Sequence, residues 1–255
     1  MEKIKSLNRY QKGILIVMIV MSLIFGSAYR ITISRVGFEY KDEILVPNQE
    51  NGSTVYSGKI QGKEAQFTVS GDKTVVFQYG DKIYGPYTAK EEPAAIPKNE
   101  EMAEYMTGVE LYQGDELLFR GGVLPTQDSQ YWLYDEDGNR NNVVLSFTDS
   151  DGTERNEQGE VIDPFEPSAA TILQLMGVPE LTHNGEWSAW FEGVFACVLN
   201  ALSILFADEI FRWDLMFRIR NADQAEPSEW EIAGRYLLWT VLPIMVLVLF
   251  VLGLQ

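Results

Sequence analysis

Apolar positions along this chain gather in three blocks. Tyr236 to Leu254 is almost unbroken and uncharged, Trp187 to Ala207 is a second block, and Gly13 to Ala28 is a third. At 1.5 Å of rise per residue, the second block covers roughly 31 Å, close to the hydrocarbon thickness of a bilayer, so the three blocks predict three transmembrane helices. Between the first two, apolar and polar residues alternate with a period near two. Strands are predicted at Thr54 to Ile60, Ala65 to Ser70, Thr74 to Tyr79, Lys82 to Thr88, Gly108 to Tyr112, Glu116 to Arg120, Gln130 to Tyr134 and Asn142 to Phe147. Turn signals separate them at Gln61-Gly62-Lys63, Ser70-Gly71-Asp72, Gly80-Asp81, Gln113-Gly114-Asp115 and Asp137-Gly138-Asn139. A sandwich or a partly open barrel is the expected result, followed by one short helix over Ser168 to Met176. The fold class is therefore an α + β membrane protein, with three transmembrane helices and an inserted extracytoplasmic β-rich domain. The expected divisions are 1–30, 31–185, 186–207, 208–228 and 229–255, with Ile31 to Ser34 already β-like.

Charge shows the same segregation. The formal net charge is −17 over 255 residues. Residues 31–185 hold 27 acids and 11 bases, residues 1–30 one acid and five bases, and residues 186–255 nine acids and four bases. So acidic a middle segment repels phosphate backbones, which argues against a nucleic-acid partner. The basic start, Lys3, Lys5, Arg9 and Lys12, precedes ILIVMIVMSLIF and places the N-terminus in the cytoplasm. An uncleaved anchor and a signal peptide cleaved near Gly26-Ser27-Ala28 both export the middle segment. The second block then returns the chain to the cytoplasm. Trp187 and Trp190 mark its outer end, and Phe211 and Trp213 its inner end.

Two polar residues interrupt the second block. Glu192 sits about one turn inside the outer boundary, and Asn200 lies near mid-depth, where Ser22 or Thr240 of a neighbouring helix is the expected hydrogen-bond partner. Pro243 in the third block reads as a tolerated kink. Between the blocks, Phe211 to Arg220 fits two patterns equally, an extended segment or an interfacial helix. Either directs aromatics to lipid and Arg212, Arg218 and Arg220 to headgroup phosphates, with Arg235 at the next boundary. Ser228 followed by Glu231 forms a capping box, so the last helix is expected to begin near Glu229.

The segment FRIRNADQAEPSEWEIAGRY, followed by a terminal apolar helix, resembles a motif that recurs in uncharacterised small integral membrane proteins of Gram-positive bacteria. The resemblance covers about 45 residues, by the count of the C-terminal stretch, and its specific part is the Glu-Pro-Ser cap followed by an arginine at the membrane boundary. It implies a membrane location and brings no activity, cofactor or catalytic residue.

Candidate chemistry is sparse. Cys197 is the only cysteine and lies within the second apolar block, so no intramolecular disulfide and no cysteine-based metal cluster can form; it is expected to be packing filler or lipid-facing. His183 is the only histidine, which excludes multi-histidine zinc sites, and it is expected at the surface. The acidic runs Asp135 to Asn139 and Asp149 to Gly152 miss the calcium-loop spacing and read as acidic turns. Tyr84-Gly85-Pro86-Tyr87 reads as a fold feature more readily than as a recognition surface. No cofactor is implied. The sequence points to a non-enzymatic component of a membrane or envelope complex, with the bilayer and a membrane-protein partner as its surroundings. A sensor or accessory subunit that binds a ligand outside and a partner inside is the alternative, and an exported hydrolase using paired carboxylates is a further one.

Overall fold

The computed structural model describes residues 7–98, 102–126, 131–140, 146–148, 154–156, 161, 163–218, 220 and 222–255. The chain divides into two compact units: residues 1–35 with 183–255, and residues 36–182.

The first unit is helical. Helix α1 runs Arg9–Ile33, and the second unit comes after it in the chain. Then come α3 (Trp187–Leu205), α4 (Ala207–Met216) and α5 (Glu229–Leu252). Helices α1, α3 and α5 are long and apolar enough to cross a membrane. Helix α1 starts on a reciprocal cap, in which Asn8 Oδ1 accepts the Gln11 amide and Gln11 Oε1 accepts the Asn8 amide. It continues through Ile31 to Ile33, where the sequence pattern predicts extended chain. The apolar helical pattern carries on past Arg30, and Arg30 itself suits the negative end of the dipole.

The three long helices alternate in direction. The N-terminal ends of α1 and α5 meet, with Asn8 Nδ2 donating to the Tyr236 hydroxyl and Tyr10 bonded to Thr240. At the other end the Tyr29 hydroxyl donates to the Phe250 carbonyl. Helix α3 runs opposite to both, since its first turn places Trp190 Nε1 on the Ser22 carbonyl of α1. The two residues ahead of α3 bond to the chain just past α5, Gly185 donating to Gln255 and Glu186 to Gly253. Gly193 lets α3 and α5 approach closely, because a Cβ there would overlap the Phe250 ring.

The second unit is built on a nine-stranded antiparallel sheet whose spatial order is that of the chain. Its strands are β1 (Phe38–Tyr40), β2 (Glu43–Glu50), β3 (Ser53–Ile60), β4 (Lys63–Val69), β5 (Val75–Tyr79), β6 (Lys82–Glu91), β7 (Thr107–Gln113), β8 (Glu116–Pro125) and β9 (Tyr131–Asp135). A separate antiparallel pair joins β10 (Ser146–Thr148) to β11 (Glu154–Asn156). Strands β1 and β2 lie before the first strand expected from sequence; charged residues and Pro47 interrupt their alternation. The expected strand over Asn142 to Phe147 overlaps the described residues only at 146–147.

Period-two burial builds the core. Val75, Phe77 and Tyr79 of β5 face inward beside Ala65 and Phe67 of β4, and the paired rings of Phe67 and Phe77 stack at 4.1 Å. The sheet coils strongly. Strands four positions apart in a flat sheet would be about 19 Å from each other, yet the rings of Tyr40 on β1 and Phe77 on β5 meet at 5.4 Å. The short helix α2 (Ala169–Met176) lies with β1 and β9 around one cavity, and its Ile172 and Leu175 enter the core. One sheet coiled on itself therefore replaces the two layers of a sandwich.

Tyr84-Gly85-Pro86-Tyr87 is a bulge. Phe77 pairs with Tyr84 but Val75 pairs with Tyr87, so β6 carries an extra residue there, and both tyrosines turn into the core. Gly85 supplies the positive φ of 98° that the bend requires. The ends of the unit close on each other, Gly37 and Thr182 exchanging both backbone hydrogen bonds at 2.9 and 2.8 Å.

Candidate functional site

Helix α5 carries Glu231, Arg235 and Trp239 at successive steps of four, which puts them on one face. Ser228 sets the phase of that face by accepting the Glu231 amide at 3.2 Å. Only half of the expected capping box forms. The Glu231 carboxylate turns forward to Arg235 Nε at 3.2 Å, because a guanidinium one turn away is a stronger partner than a neutral amide.

Arg235 is the centre of the site. Nη1 donates to Asp208 of α4 at 3.2 Å, and the guanidinium lies over the Phe211 ring, 5.0 Å from its centroid. Its side chain is only 14% exposed, against 75% for Asp208. Nη2 is buried with no protein hydrogen-bond partner. A buried donor left unmatched costs about 1–3 kcal/mol. Around this group Ser203, Phe211, Trp213, Asp214, Arg218, Glu231, Arg235 and Trp239 contribute to a cavity of about 490 Å³.

Helix α4 supplies the outer wall. Residues 211–216, where the sequence pattern suits strand and helix equally, are helical, as are Ala207 to Ile210 before them. The i and i+4 pair Asp214 and Arg218 bonds at 3.1 Å along this segment. Ile210, Trp213 and Phe217 share one side of it and are exposed.

The inner wall leads into the helix bundle. Trp239 Nε1 donates to Ser203 Oγ at 3.0 Å, and Ser203 Oγ donates to the Asn200 carbonyl at 2.8 Å. Asn200, 1% exposed, does not reach Ser22 or Thr240, the partners expected for it. Those hydroxyls bond back to carbonyls of their own helices, Ser22 to Met18 and Thr240 to Tyr236. Asn200 Nδ2 instead meets Met18 Sδ and the Trp239 carbonyl, each at 3.4 Å. Pro243 explains why that carbonyl is free. It has no N–H to donate four residues back, so the acceptor at Trp239 is released and Asn200 takes it.

Of the sequence-derived candidates, Arg218, Glu231 and Arg235 line this cavity, Ser228 fixes the helix start, and Asn200 adjoins it through Ser203. Arg212 and Arg220 are exposed and do not line the cavity. Glu192 is exposed on α3, two turns from Asn200. Sequence reasoning missed Asp208, Phe211 as the ring under Arg235, and the Ser203 and Trp239 link. Asp208 and Arg235 are 27 residues apart, so no local spacing signals their pairing.

The β unit holds its own polar cluster. Asp163 Oδ2 accepts Lys82 Nζ at 2.8 Å and the Tyr84 hydroxyl at 2.7 Å, and Oδ1 accepts the Phe165 amide at 3.0 Å. Burial works to raise the Asp163 pKa, but these donors outweigh it and hold the carboxyl below its ordinary value. Glu166 is shifted upward, by desolvation first and then by the charges of Asp163 and Glu116. Burial raises the Tyr40, Tyr84 and Tyr87 hydroxyls, which stay neutral at physiological pH. The Tyr87 hydroxyl has no protein partner although the residue is 0% exposed. The acidic turn at Asp135 is self-contained, its carboxylate accepting the amides of Asp137 and Asn139 and the Asn139 side chain. The loop Asp149 to Gly152 lies outside the described residues. A second cavity of about 300 Å³ opens beside β6 to β9, with Val109, Val123, Leu173 and Met176 as apolar lining and Lys73 and Lys90 among its polar groups.

Comparison of the chain with family models, curated proteins and solved structures finds no match.

Proposed function

We propose that this chain is a non-enzymatic integral membrane protein that displays its acidic β unit outside the cytoplasm as a component of a membrane or envelope complex. The observation that carries the reading is the alternating direction of α1, α3 and α5. Three successive crossings of a bilayer require that alternation, and it puts the exit at Arg35 and the return at His183 on one end of the bundle. The start of α4 lies at the other end, where Asp208 pairs with Arg235 next to the contacting rings of Tyr10 and Tyr236. Apolar residues on the outer faces, among them Ile16, Ile19, Leu23, Phe195, Leu199, Ile244 and Val248, are exposed, as a lipid solvent favours. The basic start argues for a cytoplasmic N-terminus and the C-terminal motif for a bacterial plasma membrane. The coiled β sheet is then the partly open barrel of the exported domain.

Carbonate extraction and cysteine labelling test this. In a Cys197→Ala chain, Ser57→Cys should react with a membrane-impermeant maleimide on intact cells, and Gln224→Cys only after permeabilisation. The reverse pattern, or release of the chain by carbonate, would refute the proposal. The Lys73 and Lys90 cavity supports a second reading, a sensor or accessory subunit with an external ligand. Under that reading Val123→Trp, which fills the cavity, abolishes signalling without displacing the chain from the membrane.

A further inference from the structure

We propose that the chain pairs with a second copy of itself inside the bilayer, α3 against α3 about a two-fold axis along the membrane normal, with Glu192 of each copy meeting Arg30 of the other. This rests on reading α1, α3 and α5 as bilayer spans.

Two opposite charges stand unmatched at one end of the helical unit. Glu192 and Arg30 are both exposed, and neither side chain has a hydrogen bond or an ion pair among the described residues. They share a depth through Phe250, whose ring packs on Gly193 beside Glu192 and whose carbonyl accepts the hydroxyl of Tyr29 beside Arg30. Glu192 is the sixth residue of α3, about 7.5 Å below its start, where an unmatched charge in lipid is costly.

The two charges flank the outward face of α3 from opposite sides. Gly193, Cys197, Asn200 and Ile204 are buried and mark the inner face, and Phe191, Phe195 and Leu202 are exposed opposite them. Arg30 lies on the α1 side. It continues the exposed stripe of Ile19 and Leu23, which form an apolar groove of about 270 Å³ with Val194, Val198 and Ala201 of α3. Glu192 lies on the α5 side, three turns from Ser203, which holds Trp239 of α5. A half-turn about the membrane normal sets the α5 side of one copy against the α1 side of the other, so each Glu192 faces an Arg30. The same rotation sets Leu199, exposed two turns from Glu192 on that side, opposite the groove and level with its walls. A different protein would have to bring a base, an acid, a groove and an apolar knob in matching order. A second copy brings all four.

Cross-linking and charge exchange test this. In membranes holding a Cys197→Ala chain, Leu202→Cys should give a disulfide-linked dimer on oxidation with copper phenanthroline, whereas Val248→Cys, on the far side of α5, should not. In the full chain in mild detergent, Glu192→Arg and Arg30→Glu should each raise the dimer dissociation constant about tenfold or more, since like charges then meet at both contacts. Mixed together, these two chains should associate as the parent does, because one carries two bases and the other two acids; co-purification through different tags reads this. A monomeric parent chain, unchanged association of both single variants, no heterodimer from the mixture, or cross-linking at Val248 in place of Leu202 would each overturn the proposal. Release of the chain from membranes by carbonate would instead remove the bilayer reading beneath it.

Discussion

Two tyrosines buried in the same aromatic core meet different fates. Tyr84 donates to Asp163, whereas the hydroxyl of Tyr87 is desolvated without a protein acceptor. Tyr87→Phe removes a polar group that gains nothing from burial, so it should leave stability unchanged or raise it by about 1 kcal/mol. Thermal unfolding of the full chain in detergent, followed by near-UV circular dichroism of the aromatic core, measures this. Asp163 and Glu166 should respond to pH in opposite senses. The Asp163 carboxyl is held below its ordinary 3.8, so its stabilisation is present above that value and lost as acid passes through the lowered one. Asp163→Asn should therefore lower the melting temperature at pH 7, and the difference should close in strong acid. Glu166 is raised above its ordinary 4.5, so the favourable contribution of its protonated form is present below that value and lost as pH rises through the raised one. Glu166→Gln should stabilise at neutral pH by less than about 1 kcal/mol, because the side chain is partly solvated.

Helices in this molecule are joined through irregularities that local sequence cannot interpret alone. Pro243 opens one hydrogen bond in α5, and Asn200 of α3 occupies the vacant carbonyl at 3.4 Å. Restoring the N–H with Pro243→Ala removes the reason for that contact. Asn200→Leu should then cost less in the Pro243→Ala chain than in the parent, with a coupling of about 0.6 kcal/mol, the typical value for a hydrogen bond between membrane helices. Unfolding in mixed micelles across the four chains measures the cycle, and additive effects would remove the link between these residues. The caps provide a control. Asn8→Ala and Ser228→Ala should each cost about 1 kcal/mol and raise hydrogen exchange in the first turn of α1 or α5. Helix α4 shows how a pattern can fit two elements: residues 211, 215 and 219 suit a helical face while 211, 213 and 215 suit a strand. Continuation from α3, with Asp208 and Glu209 at the N-terminal turn, supports the helix.

Residues 36–182 have the marks of an inserted domain. They contain their own aromatic core, and their ends are joined by the paired backbone bonds of Gly37 and Thr182. Excised, this segment should fold as a soluble monomer with a β-type circular dichroism spectrum and one cooperative unfolding transition. An aggregated product without a transition would show that its stability depends on the helices. The membrane reading does not depend on that outcome, because it rests on α1, α3 and α5.

Apolar blocks, strand periods and the Ser228 cap could be read directly from the chain because the apolar run of a helix, pleat alternation and capping act over a few residues. Composition excluded whole classes of chemistry for the same reason, since one cysteine and one histidine bound what any fold can assemble. The coiling that brings Tyr40 to Phe77, the bulge that turns both Tyr84 and Tyr87 inward, and the pairing of Asp208 with Arg235 join residues far apart in sequence. Such contacts are set by the packing of whole elements. The orphan Nη2 of Arg235 arises in the same way: the chain supplies the arginine, and the surrounding helices determine which of its nitrogens is left without an acceptor.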